Sequence, residues 1–239
     1  MEKIKIVFFD IDGTIIDMNN KRITAKMLDT LVRLKEKRII ICLATGRSTM
    51  NLPHFKDVEF DAFLSYKGSY CFDNQQHNFS NPIPTVDVKI IIQNADSINR
   101  PLTLATKNRL AANGTDEDLE EYYSFSKDKV VVAEDFEEVA KEEVFQIMLG
   151  CREEDYPQII KGTGNAKIAA WWDRAVDIIP ANSGKGVGIQ IMLEYCHCSK
   201  SEALAFGDGN NEVEMFQAVG LGVAMENASD QLKAVADDI

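Results

Sequence analysis

Phe8-Phe9-Asp10-Ile11-Asp12-Gly13-Thr14 is the stretch whose reading decides the fold. It continues from Ile4-Lys5-Ile6-Val7, a short apolar run rich in β-branched residues. The run is too short for a helix and lacks helical periodicity, so it reads as a strand buried on both faces. Two carboxylates, Asp10 and Asp12, then close it, followed by Gly13-Thr14. Acids after a buried parallel strand sit at the carboxyl edge of a sheet, where open α/β folds bind ligands. Carboxylates this close repel unless a cation or a shared proton intervenes. A magnesium ion, bound by hard oxygen ligands, would relieve that repulsion. The competing reading, Asp as an ordinary turn or cap residue, is decided by the rest of the chain.

The 239 residues, 45% hydrophobic and 27% charged, suffice for a sizeable core in one large domain or two modest ones. A net charge of −12 argues against a broad nucleic-acid or anionic-membrane surface. A phosphorylated metabolite remains compatible, since a metal and a few local cations can bind it. The five cysteines, Cys42, Cys71, Cys151, Cys196 and Cys198, make no even disulfide framework. Cys196-His197-Cys198 invites a zinc reading that no second Cys or His pair supports. Free thiols, with neither a signal-peptide pattern nor a long apolar span, lead to a cytoplasmic expectation. Nothing in the sequence bears on oligomeric state.

Working outward, Thr24 is placed to cap a helix with Met27, Leu28, Leu31 and Leu34 on one face and Lys35, Lys37 and Arg38 at its end. Ile39-Ile40-Ile41-Cys42-Leu43 is a second buried strand, ending in Ala44-Thr45-Gly46-Arg47. Ala62-Phe63-Leu64-Ser65-Tyr66 is a third, followed by Lys67-Gly68-Ser69. The β-α-β start is that of a doubly wound parallel sheet. Pro82 and Pro84 mark a change of texture. A helix over 85–98 follows, then short strands at 102–105, 130–132, 144–148, 168–171 and 176–179 between acidic helices starting near Thr115, Asp135 and Arg152. The α/β pattern resumes with Ser183-Gly184-Lys185-Gly186, the buried strand Ala203-Leu204-Ala205-Phe206, Gly207-Asp208-Gly209-Asn210-Asn211-Glu212, a last strand at 221–225 and a helix capped by Ser229. The expected architecture is a Rossmann-like doubly wound core of residues 1–81 and 182–239, interrupted by an inserted α+β domain of residues 82–181.

A parallel sheet would gather Asp10, Asp12, Thr45, Lys185, Asp208 and Asn211 on one edge although they lie far apart in sequence. His54, His77 and His197 lie away from every junction, which disfavours a Ser-His-Asp mechanism. What remains is a carboxylate nucleophile with a metal. Asp10 would attack phosphorus, and Asp12 would protonate the leaving oxygen and then activate water. Asp10 and Asp208 would hold Mg²⁺. Thr45 and Lys185 would bind phosphoryl oxygens, with Lys185 also fixing Asp10.

These motifs, in this order, resemble the four motifs of the haloacid dehalogenase superfamily, and the resemblance covers nearly the whole chain. The insertion falls between the second and third motifs, where the Cof-type sugar-phosphate phosphatases carry their C2 cap. Gly222-Val223-Ala224-Met225-Glu226-Asn227-Ala228 is similar to the segment that follows that family's fourth motif. The resemblance implies a Mg²⁺-dependent phosphatase acting on small phosphorylated metabolites, sugar phosphates foremost, through an aspartyl-phosphate. It adds the Asp12 backbone carbonyl to the metal ligands, Gly46 and Asn211 to the phosphate-binding residues, and Arg47 and Glu212 as outer-sphere residues. A phosphosugar mutase resembling phosphomannomutase, and a non-catalytic phosphate-binding regulator, are the alternatives. The chain departs from the family in Glu212, where Asp is usual, and in Lys67-Gly68-Ser69, where Asn-Gly-Ala is common. Relatives also usually run past the last helix, so Ile239 is expected to be an early end. Of Trp171-Trp172, one is expected in the core and one lining an interdomain cleft. The acidic run from Asp116 to Glu121 reads as a solvated helix face.

Overall fold

The computed structural model describes residues 3–18, 22–55, 58–74, 77–126, 128–170 and 172–239. The chain opens with strand β1 (Ile6–Phe9), the short strands β2 (Ile16–Asp17) and β3 (Arg22–Ile23), helix α1 (Ala25–Glu36), β4 (Ile40–Ala44), β5 (Ala62–Ser65), β6 (Tyr70–Asp73) and β7 (His77–Ser80). Next come α2 (Thr85–Ser97), β8 (Leu102–Thr106), β9 (Leu110–Ala112), α3 (Glu117–Ser124), α4 (Phe136–Val139), β10 (Val144–Gly150), α5 (Tyr156–Ile159), β11 (Ala166–Ala170) and β12 (Ala175–Pro180). The chain closes with α6 (Lys185–Tyr195), β13 (Ala203–Gly207), α7 (Val213–Ala218), β14 (Leu221–Ala224) and α8 (Asp230–Lys233). It divides into two compact units, one of Met1–Arg47, Asn51–Ser80 and Gly184–Ile239, the other of Ser48–Met50 and Asn81–Ser183.

The first unit is built on a seven-stranded sheet in the order β14-β13-β1-β4-β5-β6-β7. The first five strands are parallel, and β6 and β7 turn back as an antiparallel hairpin on one edge. β1 is central because both of its faces are apolar. Ile6 and Phe8 pack into one core with Ile189, Met192 and Met215 of α6 and α7, while Val7 and Phe9 pack into another with Leu31 of α1. A strand covered on both sides has no reason to alternate apolar with polar residues, which is why Ile6–Phe9 reads as an unbroken run. β4 joins β1 on one side and β13 on the other, so strand order reverses at β1 and opens a crevice at its carboxyl end. Thr24 caps α1, its hydroxyl accepting the Met27 amide at 3.1 Å.

The second unit is a five-stranded antiparallel sheet, β11-β12-β10-β8-β9. One face packs Leu102, Leu104, Ile147, Leu149, Val176 and Ile178 against Val88, Ile91 and Ala95 of α2. Two expectations are corrected here. Val130-Val131-Val132 is not a strand: Val132 makes a single bridge to Ala112, and Val131 and Val132 are each 57% exposed. Val131 O accepts one backbone hydrogen bond, from the Ala112 amide, but the run lies on no covered face, so its β propensity finds nothing to pack against. The acidic run is not wholly solvated either. Asp118 is only 6% exposed and receives Arg152 and Arg174 at 2.7–3.3 Å, with Arg100 at 3.2 Å. Burial opposes ionisation of Asp118, but the hydrogen bonds from Arg152 and Arg174 outweigh it and hold the carboxyl below its ordinary value. Trp171 lies outside the described residues. Trp172 meets Phe125 edge-on at 5.1 Å and carries Arg174 over its ring at 5.3 Å. Among the described residues no helix is long and apolar enough to cross a membrane.

Candidate active site

Asp10 follows directly on β1, its amide donating to Phe206 O at 3.1 Å across the gap to β13. Asp10 is 6% exposed. Its partner is Lys185, the first residue of α6, whose Nζ donates to Asp10 Oδ1 at 2.6 Å and to Glu212 Oε1 at 2.5 Å. A buried cation at a helix N-terminus opposes the helix dipole, so it needs anionic partners, and these two carboxylates supply them. Burial works to lower the Lys185 ammonium. Asp10 and Glu212 overcome this and hold the ammonium above its ordinary value. Burial pushes the Asp10 carboxyl upward. Lys185 opposes that rise, while Glu212 and Asp208 reinforce it. The other oxygen of Glu212 accepts the Gly209 amide at 2.6 Å, which closes the turn after β13. Two glycines let α6 come this near: a Cβ on Gly186 would stand 2.7 Å from Glu214 O, and one on Gly188 2.8 Å from Leu64 Cδ2.

Asp208, after β13, accepts Thr14 Oγ1 at 2.9 Å and Asn227 Nδ2 at 3.4 Å. Burial pushes its carboxyl to about 6. Thr14 opposes the shift, and Glu212 and Asp12 add to it. The carboxylate lies so close over Gly13 that a Cβ there would be 2.1 Å from Asp208 Oδ2; with φ at +90°, that position admits only glycine without distortion. Asp12 stands slightly apart. Both its oxygens are taken by the Arg47 fork, Nη2 to Oδ1 at 2.6 Å and Nε to Oδ2 at 2.8 Å, and Arg47 Nη1 also reaches Asn51 O at 3.1 Å. Thr45, at the end of β4, accepts the Arg47 amide on its hydroxyl at 3.1 Å and is 2% exposed.

Asp10, Lys185 and Glu212 therefore form one contact group, Asp208 and Thr14 a second, and Asp12 and Arg47 a third. Gly46 lies in the turn between Thr45 and Arg47, with the Lys67 side chain packed along it. Asn211 is exposed in a 3-10 turn and lies against Gly209. Thr14, Asn227 and Lys67 were not singled out as site residues from the sequence. Thr14 carried a signal, since it belongs to the opening motif. Asn227 lies in the segment that resembles the one after the family's fourth motif, but its nearness to Gly13 O, 3.1 Å away and 214 residues back, is purely tertiary.

The donors near Asp10 are all hard oxygens, the type that magnesium takes. Asp10 and Asp208 are carboxylates that burial makes costly to ionise, with Asp208 adding to the cost at Asp10, and a hard dication would offset that cost. Among the described residues no three His, Cys, Asp or Glu side chains gather closely enough to hold a metal by themselves. Two carboxylates and the Asp12 carbonyl would leave the remaining positions to water and substrate oxygens, as Mg²⁺ prefers.

A family model described as haloacid dehalogenase-like hydrolase matches residues 7–239. Among curated proteins, the chain is 30% identical over 236 residues to "Putative phosphatase YkrA" of Bacillus subtilis (strain 168), covering 98% of this chain and 90% of that one. It is 25% identical over 240 residues to the HMP-PP phosphatase of Citrobacter koseri, covering 96% and 87%. Among solved structures, it aligns with the HAD subclass IIB sugar phosphatase BT4131 at a TM-score of 0.85 and 25% identity, covering 98% and 92%.

Proposed function

This chain belongs to the haloacid dehalogenase-like hydrolases, and from that premise we propose that it hydrolyses small phosphorylated metabolites, sugar phosphates foremost, with Mg²⁺ bound and through an aspartyl-phosphate. It is a phosphatase of the Cof type. The observation that carries the mechanism is the grip of Lys185 on one oxygen of Asp10 at the end of the central strand. That grip orients the second oxygen, Oδ2, for attack. An Asp10–phosphorus bond forms as the ester oxygen departs, and Asp12 gives that oxygen its proton. Asp12 then takes a proton from water, whose oxygen attacks phosphorus and frees Asp10. Thr45, the Gly46 amide, Lys185 and Asn211 would bind phosphoryl oxygens. Glu212 would keep Lys185 in place, and Arg47 would steer Asp12. Asp10, Asp208 and the Asp12 carbonyl would hold Mg²⁺, which shields the attacking carboxylate from the charge of the phosphate.

The test is hydrolysis of a panel of sugar phosphates before and after exhaustive chelation. Chelation should lower the rate by about 10²-fold or more, and Mg²⁺ should restore it. Activity that survives chelation would remove the metal from the reading.

The inserted segment, residues 82–181, is read as the element that selects substrate. The motivation is positional, since it interrupts the catalytic unit between its second and third motifs, and lids so inserted commonly gate turnover. Replacing it by a short Gly-Ser linker should lower kcat/KM for sugar phosphates more than for a small aryl phosphate. An unchanged ratio in a folded variant would move selectivity to the core loops.

A further inference from the structure

The run Val130-Val131-Val132 is wholly β-branched and contains neither a charge nor a proline, yet it forms no strand of its own. It lies along β9, the last strand of the second unit's sheet. The Ala112 amide donates to Val131 O at 2.9 Å and the Ala133 amide to Ala112 O at 2.9 Å, which sets Val132 beside Ala112 in a parallel bridge. In extended backbone the polar groups of successive residues point to opposite sides. Val131 O and the Ala133 amide are turned toward β9, so the amide and carbonyl of Val132 are turned away from it. Among the described residues neither of these groups has a hydrogen-bond partner. The side chains are equally uncovered, Val131 and Val132 being each 57% exposed.

Edges of this kind are ordinarily blunted by a charge, a proline or a bulge within the run. Here the charges stand at its two ends instead. Lys129 precedes it, Glu134 and Asp135 follow it, and all three are exposed. Asp135 is engaged by Arg109 at 2.7 and 2.8 Å, while Lys129 and Glu134 have no ion-pair partner among the described residues. Two copies of the run laid antiparallel, Val132 opposite Val132, would exchange two hydrogen bonds through the outward-facing groups. That register sets Val131 of each copy beside Ala133 of the other. It also brings each Lys129 to the acidic end of the other copy, where opposite charges across a strand pair are favourable. A parallel arrangement would instead set lysine against lysine and acid against acid. The edge is therefore complementary to itself in one orientation, as an isologous twofold contact requires.

We infer that this edge is the docking surface for a second copy of the chain, the two inserted sheets joining antiparallel across Val132. The inference stands apart from the phosphatase reading, since it uses none of the residues placed in the catalytic machinery. Its test is sedimentation equilibrium of the whole chain over a concentration series reaching about 1 mM, where even a weak contact is populated. The mass should rise from that of one chain toward that of two. Val132→Pro removes the outward amide, which a single chain does not use, and should weaken association by about tenfold or more. A second variant leaves the backbone alone. Lys129→Glu sets acid against acid twice in each dimer and should weaken association by about tenfold. It should melt as the wild type does when dilute, because Lys129 has no ion-pair partner to lose. Combining Lys129→Glu with Glu134→Lys restores opposite charges in the antiparallel register and should recover most of the association. A one-chain mass throughout the series would overturn the inference. So would a two-chain mass that either Val132→Pro or Lys129→Glu leaves unchanged. Failure of the double variant to recover what Lys129→Glu loses would overturn the antiparallel arrangement.

Discussion

Asp10→Asn is expected to remove turnover by more than about 10³-fold, since losing one member of a concerted catalytic group costs nearly as much as losing the group. The amide has no charge with which to attack phosphorus. The substitution keeps size and leaves a carbonyl oxygen for Lys185, which also retains Glu212 at 2.5 Å. The fold should therefore survive. The sign of the stability change follows from the raised Asp10 carboxyl. A carboxyl whose folded value lies above its unfolded one weakens the fold as pH rises through that interval and costs nothing below it. Without metal, the variant should thus gain on the wild type between acid and neutral pH. Rates and chelated melting curves at several pH values check both halves. Activity within tenfold of the wild type would remove Asp10 as the nucleophile.

Asp12→Asn is expected to lose about 10²–10⁴-fold with alkyl phosphates, the usual worth of a general acid–base. The loss should depend on the leaving group. An aryl phosphate needs little help from an acid, so its first step should be spared while hydrolysis of the phosphoenzyme slows. A burst of the released phenol, followed by slow turnover, is the expected trace. Equal losses for alkyl and aryl esters, with no burst, would contradict the role. The structure adds a reason to measure this residue with care. Asp12 is held by both nitrogens of the Arg47 fork, so its freedom to reach a leaving oxygen depends on that pair.

Much of the first unit was legible because its signals are local. Ile6–Phe9 and Ile40–Ala44 are buried on both faces and show unbroken apolar runs, and Thr24 announces α1 three residues before the amide it caps. The gathering of the strand ends was legible too, because parallel strands present their carboxyl ends on one edge. What escaped depended on distant partners. Asp118 looks like any acid on an exposed face until Arg152 and Arg174, 34 and 56 residues later, cover it. The run at Val130 has strand composition without a covered face. The β6–β7 hairpin turns the sheet edge antiparallel in a segment that showed no clear alternation. Glu212 was expected as an outer-sphere residue and as a departure from the family. Its reach to both Lys185 and the Gly209 amide appears once the turn after β13 is folded.

The central claim is that phosphorus passes through Asp10. Rapid acid quenching of Asp12→Asn during turnover, followed by peptide mapping, tests it most directly. The account predicts a base-labile acyl phosphate on the peptide containing Asp10, absent when Asp10 is also replaced by Asn. A phosphoryl group on another residue, or turnover with no phosphoenzyme at any quench time, would contradict it.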